Sequence, residues 1–353
     1  MIRILIIEDS LVTSTLLSAI FNQEADMTVV GCARNGAEGV KMAEALQPDL
    51  ITMDIRMPIF DGFAATQHIM ATRPVPIVVI SSSVNDEELR ITFRAIEEGA
   101  LAVIEKPAGL QSPNFSMIRS TIVETIRTMA GVKLVRRIRR VHTSPTSFPV
   151  PIPTKGTQKT SCQVLALACS TGGPQALHTI FAALPQNLPF PIVVVQHISP
   201  GFIGGLVKWL AISSKLTIKL AENGELLRPG TVFFAPDNHH LTIGSEAGQL
   251  QVQLCETPPV NRFRPSGNPL FNSLATVAPH RSVGGILTGM GNDGVYGLLA
   301  MRNAGCHTFA QDRESSIVFG MPGEALALNA VETILSLERI PDHILSLINR
   351  ISG

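Results

Sequence analysis

From residue 2 to about residue 130, five short Ile/Val-rich runs (RILIIED, MTVVGCA, DLITMD, PIVVISSS and LAVIEKP) alternate with amphipathic segments. Strands separated by helices pair in parallel, because each helix carries the chain back to the same end of the sheet, and both sheet faces are then covered. The last segment places Ile118, Ile122 and Ile126 at i, i+4 and i+8, which marks one face of a helix. This pattern predicts a (βα)5 unit of flavodoxin-like α/β fold.

A second alternation starts after Cys162, with VLALAC, a helix from Pro174, PIVVVQ and a helix around Phe202 to Ala211. Four runs follow, LTIKLA, TVFFAP, HLTIG and QVQLCE, punctuated by Asn223-Gly224 and Pro229-Gly230, and they read as an antiparallel insert or edge. The helix NPLFNSLATVA, then VGGILTG, VYGLLAMRNAG, CHTFAQD and a helix near Asp342 to Ile351 resume the alternation. A doubly wound, mainly parallel α/β domain is expected here. Between the two series lie a basic octet, KLVRRIRR, and a stretch containing Pro145, Pro149, Pro151 and Pro153 that cannot pair regularly. The expected organisation is residues 1–130 as one domain, 131–160 as a linker and 161–353 as a second domain. The octet reads as a solvated helix end or as a partner-binding patch, and it lacks the interleaved aromatics of a nucleic-acid platform.

With 353 residues, 45% of them hydrophobic, the chain has apolar material for two cores. Lys+Arg and Asp+Glu both number 28, so no global field favours a polyanion and no nucleic-acid partner is expected. The five cysteines form no C-x-x-C pair, which fits reduced thiols in a cytosolic protein. Acids follow the first seven residues and no apolar run is long enough for a bilayer. A cytoplasmic monomer without membrane insertion is the expectation.

In the first unit, Glu8 and Asp9 end the first strand, Asp54 the third, Ser81 the fourth and Lys106 the fifth, so all five gather at one sheet edge. Clustered carboxylates repel unless a cation sits among them, and Mg²⁺ suits a site of oxygens and waters. A carboxylate there can act as a nucleophile toward phosphorus, with Ser81 donating to the new oxygens and Lys106 balancing their charge. The competing reading is that these acids cap the following helices. With the strings TMDIRMP and EKP, residues 1 to about 128 closely resemble the receiver domain of two-component response regulators. The resemblance implies Asp54 as phosphoacceptor, a Mg²⁺ site of Glu8, Asp9 and Asp54, Ser81 and Lys106 as switch residues, and a histidine kinase as phosphodonor. Glu8 stands where aspartate is commoner, and Val103 where many receivers carry a switch aromatic.

In the second unit, Ser170 follows VLALAC, His197 follows PIVVVQ and Asp293 follows GGILTGMGN. Ser170 opens a Ser-Thr-Gly-Gly-Pro turn whose glycines allow close backbone approach and whose helix N-terminus offers N-H groups to an oxyanion. The same serine can be a helix N-cap. Cys169 is a rival nucleophile that alternation turns toward the core. His197 can take the serine's proton if an acid holds its other nitrogen. His239 and His240 compete, as do the acids Asp237 and Asp312. On the same residues, Gly289, Gly291 and Gly294 match G-x-G-x-x-G, with Asp312 after the next strand, a dinucleotide fingerprint weakened by a carboxylate at Asp293.

ACSTGGP, QHISPGF, LRPGTVFFAPDNHHL, RPS, GGILTGMGNDGVYGL and AQDRESSIVFGMP resemble, in order, the motifs of the chemotaxis protein-glutamate methylesterases over about residues 161–337. That resemblance implies Ser170 as nucleophile, His197 as base and acid, Asp293 as orienting carboxylate, and Thr171, Gly172 and the Met290 N-H around the oxyanion. It further implies a phosphorylation-activated hydrolase that removes methyl esters from glutamates of methyl-accepting chemoreceptors and deamidates receptor glutamines. Such an enzyme uses no cofactor for hydrolysis, is recruited to receptor arrays, and is obstructed by its unphosphorylated receiver. Ala168-Cys169 replaces a more usual Gly-Ala, Asn268 stands where aspartate is common, and Arg313 replaces an acid. None of these is expected to touch the triad, and Asn268 and Arg313 are expected to alter substrate docking or domain contacts. The alternatives are a receiver-controlled dinucleotide enzyme and a receptor-binding regulator in an array unconnected with motility.

Overall fold

The structure is a computed structural model that describes residues 1–82, 86–107, 109–112, 115–132 and 162–349. The basic octet and the proline-rich stretch lie outside the described residues. In the first unit the order is β1 (Ile2–Ile7), α1 (Leu11–Asn22), β2 (Met27–Ala33), α2 (Gly36–Leu46), β3 (Leu50–Met53), α3 (Gly62–Thr72), β4 (Ile77–Ser81), α4 (Asp86–Glu97), β5 (Ala102–Glu105) and α5 (Phe115–Ala130). The strands form one parallel sheet in the order β2-β1-β3-β4-β5. All four residues of β3 and all five of β4 are buried, as expected of strands covered on both faces.

The second unit contains β6 (Val164–Cys169), α6 (Gly173–Ala183), β7 (Ile192–Gln196), α7 (Ile203–Ser213), β8 (Thr217–Leu220), β9 (Thr231–Phe234), β10 (His240–Glu246), β11 (Gln249–Cys255), α8 (Gly267–Val277), β12 (Ser282–Ile286), α9 (Val295–Asn303), β13 (His307–Gln311), α10 (Met321–Ala327), β14 (Thr333–Leu335) and α11 (Ile340–Asn349). Seven strands make a parallel sheet in the order β14-β13-β12-β6-β7-β9-β8. From β6 the chain builds outward through β7 and then returns to the other side through β12. That reversal is the switch point at which open α/β sheets place their sites.

The expectation of an antiparallel insert holds for only half of its residues. HLTIG and QVQLCE pair antiparallel as β10 and β11, but LTIKLA and TVFFAP supply β8 and β9, which extend the main sheet in parallel. Helix α7 returns the chain to the starting end before β8, and the ten residues between β8 and β9 return it again. Helix α10 and strand β14 are further elements between CHTFAQD and the last helix, where the sequence pattern predicts none.

Helix α4 packs on α7, where the Trp209 ring lies between Phe93 (centroids 5.7 Å, 21°) and His178 (4.8 Å, 17°). The indole Nε1 donates to Glu97 Oε1 at 2.7 Å. Among the described residues no helix is long and apolar enough to cross a membrane.

Candidate active site

At the receiver-like sheet edge, helix caps are supplied by other residues than the clustered acids. Ser10 caps α1 by accepting from the Thr13 N-H, and Asp61 caps α3 by accepting from the Ala64 N-H. Glu8, Asp9 and Asp54 instead converge, with carboxylate oxygens that all lie within 4.8 Å of one another. Lys106 Nζ reaches Asp54 Oδ2 at 2.8 Å and Glu8 Oε2 at 3.0 Å. Burial, reinforced by the Asp54 charge, pushes the Glu8 carboxyl up to about 7, and burial also raises Asp54 despite Lys106. Lys106 is itself held above its ordinary range, since Asp54 and Glu8 outweigh the cost of its burial. Three carboxylates, two of them shifted upward chiefly by burial, offer the oxygen ligands that a hard divalent cation such as Mg²⁺ takes. Ser81 lies at the end of the neighbouring strand, where its Oγ accepts from Thr92 Oγ1 at 3.4 Å. A Cβ on Gly62 would sit 1.9 Å from the Asp54 carbonyl oxygen, so the loop closes tightly behind the acid.

The second site grows from three adjacent strands, β12, β6 and β7. Cys169 pairs with Gln196 across β6 and β7, so Ser170 and His197 leave neighbouring strands at the same level. The His197 N-H donates to Cys169 O at 2.9 Å, and the Ser170 N-H donates to Thr288 O at 3.1 Å. Gln196 is buried between them; its amide donates to Ser170 O at 2.8 Å and to His197 O at 2.7 Å. Ser170 does not cap α6. That cap is Gly172, at φ 80° and with no side-chain bond, so the serine hydroxyl at the mouth of the turn is not spent on capping. Cys169 is fully buried, and burial holds its thiol far above the usual range.

Asp293 is fully buried, and its Oδ2 lies 2.8 Å from His197 Nε2. The imidazole is 8% exposed, its Nδ1 is buried without a hydrogen-bond partner among the described residues, and Phe263 stacks parallel to it at 4.0 Å. With Nε2 donating to the carboxylate, Nδ1 is the basic nitrogen. The Asp293 carboxyl is held below its ordinary range. Burial opposes this, but the His197 bond and charge, then the Ser266 hydroxyl and the Gly267 N-H, outweigh it.

The competing residues have other work. His240 Nδ1 accepts from the Ser266 N-H, His239 lies against Glu256, Asp237 accepts from the Gly201 N-H, and Asp312 accepts from the Ser315 hydroxyl and N-H. Gly289, Gly291 and Gly294 flank Asp293 in sequence, and its carboxylate is already committed to His197.

A model of the CheB methylesterase family matches residues 165–344, and a response regulator receiver domain model matches residues 4–112. The chain belongs to the CheB methylesterase family. A protein-glutamate methylesterase/protein-glutamine glutaminase 2 of Methanospirillum hungatei is 44% identical over 94% of this chain and 93% of its own length. A protein-glutamate methylesterase/protein-glutamine glutaminase of Nitrosospira multiformis is 41% identical over 99% and 97%. The crystal structure of the Thermotoga maritima CheB methylesterase catalytic domain aligns with a TM-score of 0.52 and 36% identity, covering 53% of this chain and all of that one.

Seen against the family pattern, Asn268 departs from expectation. Contrary to the expectation that it stands clear of Ser170, His197 and Asp293, its Nδ2 donates to Asp293 Oδ1 at 3.2 Å. The motif string RPS brought Ser266 into view but gave no sign that its hydroxyl reaches Asp293. Gln196 and Phe263 were likewise missed, and only their nearness to His197 in sequence or motif hinted at them. Arg313 stacks over Phe319 at 4.3 Å.

A cleft of about 480 Å³ opens at Ser170 and His197, and its far wall is the receiver's β5 and α5, including Glu105, Thr121 and Glu124. Among the described residues, hydrogen bonds bridge it where Thr128 Oγ1 donates to Met290 Sδ at 2.9 Å and where the Glu105 N-H donates to Ser199 Oγ at 3.4 Å.

Proposed function

We propose that this chain hydrolyses the γ-methyl ester of glutamates on the cytoplasmic helices of chemoreceptors, with Ser170 as nucleophile. The observation that carries this reading is the placement of Ser170 beside a buried His197–Asp293 pair at the switch point of the sheet. His197 Nδ1 takes the Ser170 proton as Oγ attacks the γ-carbonyl, and the negative oxygen that forms lies toward the N-H groups of Thr171, Gly172 and Met290. Collapse expels methoxide, which leaves as methanol with the proton from His197. A water then donates its proton to His197 and attacks the acyl-serine, which releases the glutamate carboxylate and returns the proton to Ser170. A glutamine side chain offers the same carbonyl with ammonia leaving, so deamidation uses the same residues.

Control rests with the receiver. Phosphoryl transfer from a chemotaxis histidine kinase to Asp54 is supported by the cluster of Glu8, Asp9, Asp54 and Lys106. Mg²⁺ held by the three acids would neutralise charge on the entering phosphoryl group, while Lys106 and Ser81 hold its oxygens. In the unphosphorylated chain β5 and α5 wall off the cleft, and phosphorylation shifts the population toward an undocked receiver at the receptor array.

Timed methanol release from methylated receptor membranes tests the assignment. Ser170→Ala is expected to abolish release, and undiminished release from that variant would sink it. Residues 160–353 alone are expected to work faster than the unphosphorylated whole chain.

A further inference from the structure

Asp293 receives two donors at each carboxylate oxygen. The His197 Nε2 (2.8 Å) and the Gly267 N-H (2.6 Å) meet Oδ2, while the Ser266 hydroxyl (2.5 Å) and the Asn268 amide (3.2 Å) meet Oδ1. Two donors on each oxygen leave the carboxylate no second orientation of equal energy.

Which end of the Asn268 amide faces Asp293 follows from its other bond. Asn268 Oδ1 accepts the Gly297 N-H at 2.8 Å, and a backbone N-H can only donate, so the NH₂ group must face the carboxylate. The side chain thereby ties the first turn of α8 to α9 across Asp293. It cannot back away, because a Cβ on Gly297 would lie 2.7 Å from Asn268 O and 3.0 Å from its Cα, so the two helices meet backbone to backbone.

We propose that Asn268 is a positioning residue for the hydrolysis, an uncharged donor that fixes the Asp293 carboxylate against His197 without bringing a second charge into the buried site. This rests on the reading of Asp293 as the acid of the triad. The charge balance around Asp293 is simple. His197 faces it from the β7–α7 turn, and His240 on β10 reaches it only through Ser266. The Arg264 guanidinium is turned to the carbonyls of Glu256 and Thr257, and α9 brings Tyr296, which is exposed. A carboxylate at position 268 would keep the bond to Gly297 and set a like charge against Asp293 Oδ1. Once both acids ionise, the extra charge favours the imidazolium form of His197, which is the wrong form to take the serine's proton.

The test is the pH dependence of kcat/KM for methanol release by the full chain from methylated receptor membranes. Asn268→Asp, nearly the same size, is expected to move the acidic limb upward by about one pH unit. Asn268→Leu, which loses the donor but adds no charge, is expected to lower kcat about tenfold at unchanged KM, with the limb in place. A folded Asn268→Asp variant with the wild-type limb overturns the proposal, as does an Asn268→Leu variant that changes KM alone. If Asn268→Asp fails to fold, the kcat and KM of Asn268→Leu decide by themselves. Ser170→Ala run alongside separates the two readings: activity in that variant removes the triad, whereas its inactivity with an unmoved limb in Asn268→Asp removes only the role of Asn268.

Discussion

Cys169 and Ser170 are consecutive, yet the last position of β6 sends one side chain into the core and the next residue leaves the sheet. The Cys169 thiol donates to Gln196 Oε1 at 3.1 Å, and burial keeps it protonated. In the native chain, iodoacetamide is expected to label the exposed Cys32 and spare Cys169, with methanol release unchanged; peptide mapping by mass spectrometry checks this. Glu8 gives the corresponding prediction for the other site. Its ordinary value of 4.5 rises to about 7 on folding, so the folded chain binds more protons between those values. The stability this confers is fully present below the unfolded value and is lost as pH rises through about 7. Without Mg²⁺, the receiver's thermal transition is therefore expected to fall in temperature across that window. Glu8→Gln should flatten the slope, and Mg²⁺, which must displace the proton, should bind more tightly as pH rises. Calorimetry reads all three.

The turn before α6 depends on a backbone that side chains resist. Gly172 sits at φ 80°, and a Cβ there would lie 2.9 Å from Ile317 Cβ and 3.0 Å from Thr288 Cγ2. Gly172→Ala is expected to cost about 1–2 kcal/mol from the left-handed backbone alone. Chemical denaturation measures that loss, and methanol release should fall with it as the N-H groups near Ser170 shift. Elements of this kind were open to reading from the sequence, since apolar runs ending in polar residues mark strand ends. Ser170, His197 and Asp293 could be placed at one sheet edge for that reason. The partner of a strand is less legible. LTIKLA and TVFFAP have strand composition, but nothing in their alternation states whether the neighbour runs parallel, and β8 and β9 were misplaced accordingly. Asn268 was illegible for a related reason. It stands 25 residues from Asp293, and a hydrogen bond across that distance is set by the packing of α8 on α9.

Across the whole molecule, the receiver touches the methylesterase unit both at the cleft and along α4 and α7. Glu97 accepts from the Trp209 indole at 2.7 Å and lies 3.9 Å from His178 Nε2. Glu97→Ala leaves Ser170, His197, Asp293 and Asp54 in place while loosening this contact. Without a phosphodonor its methanol release is expected to rise about fivefold, the return on one hydrogen bond. An unchanged rate would count against the α4–α7 contact as part of the obstructed state. The same contact has an optical consequence. Trp209 is the sole tryptophan of the chain, and it is held between an aromatic ring of one unit and an imidazole of the other. Its fluorescence is therefore expected to shift to longer wavelength when a small phosphodonor frees it to water. The chain carries its own dye-free gauge of undocking, readable in a stopped-flow cuvette before any methanol is made.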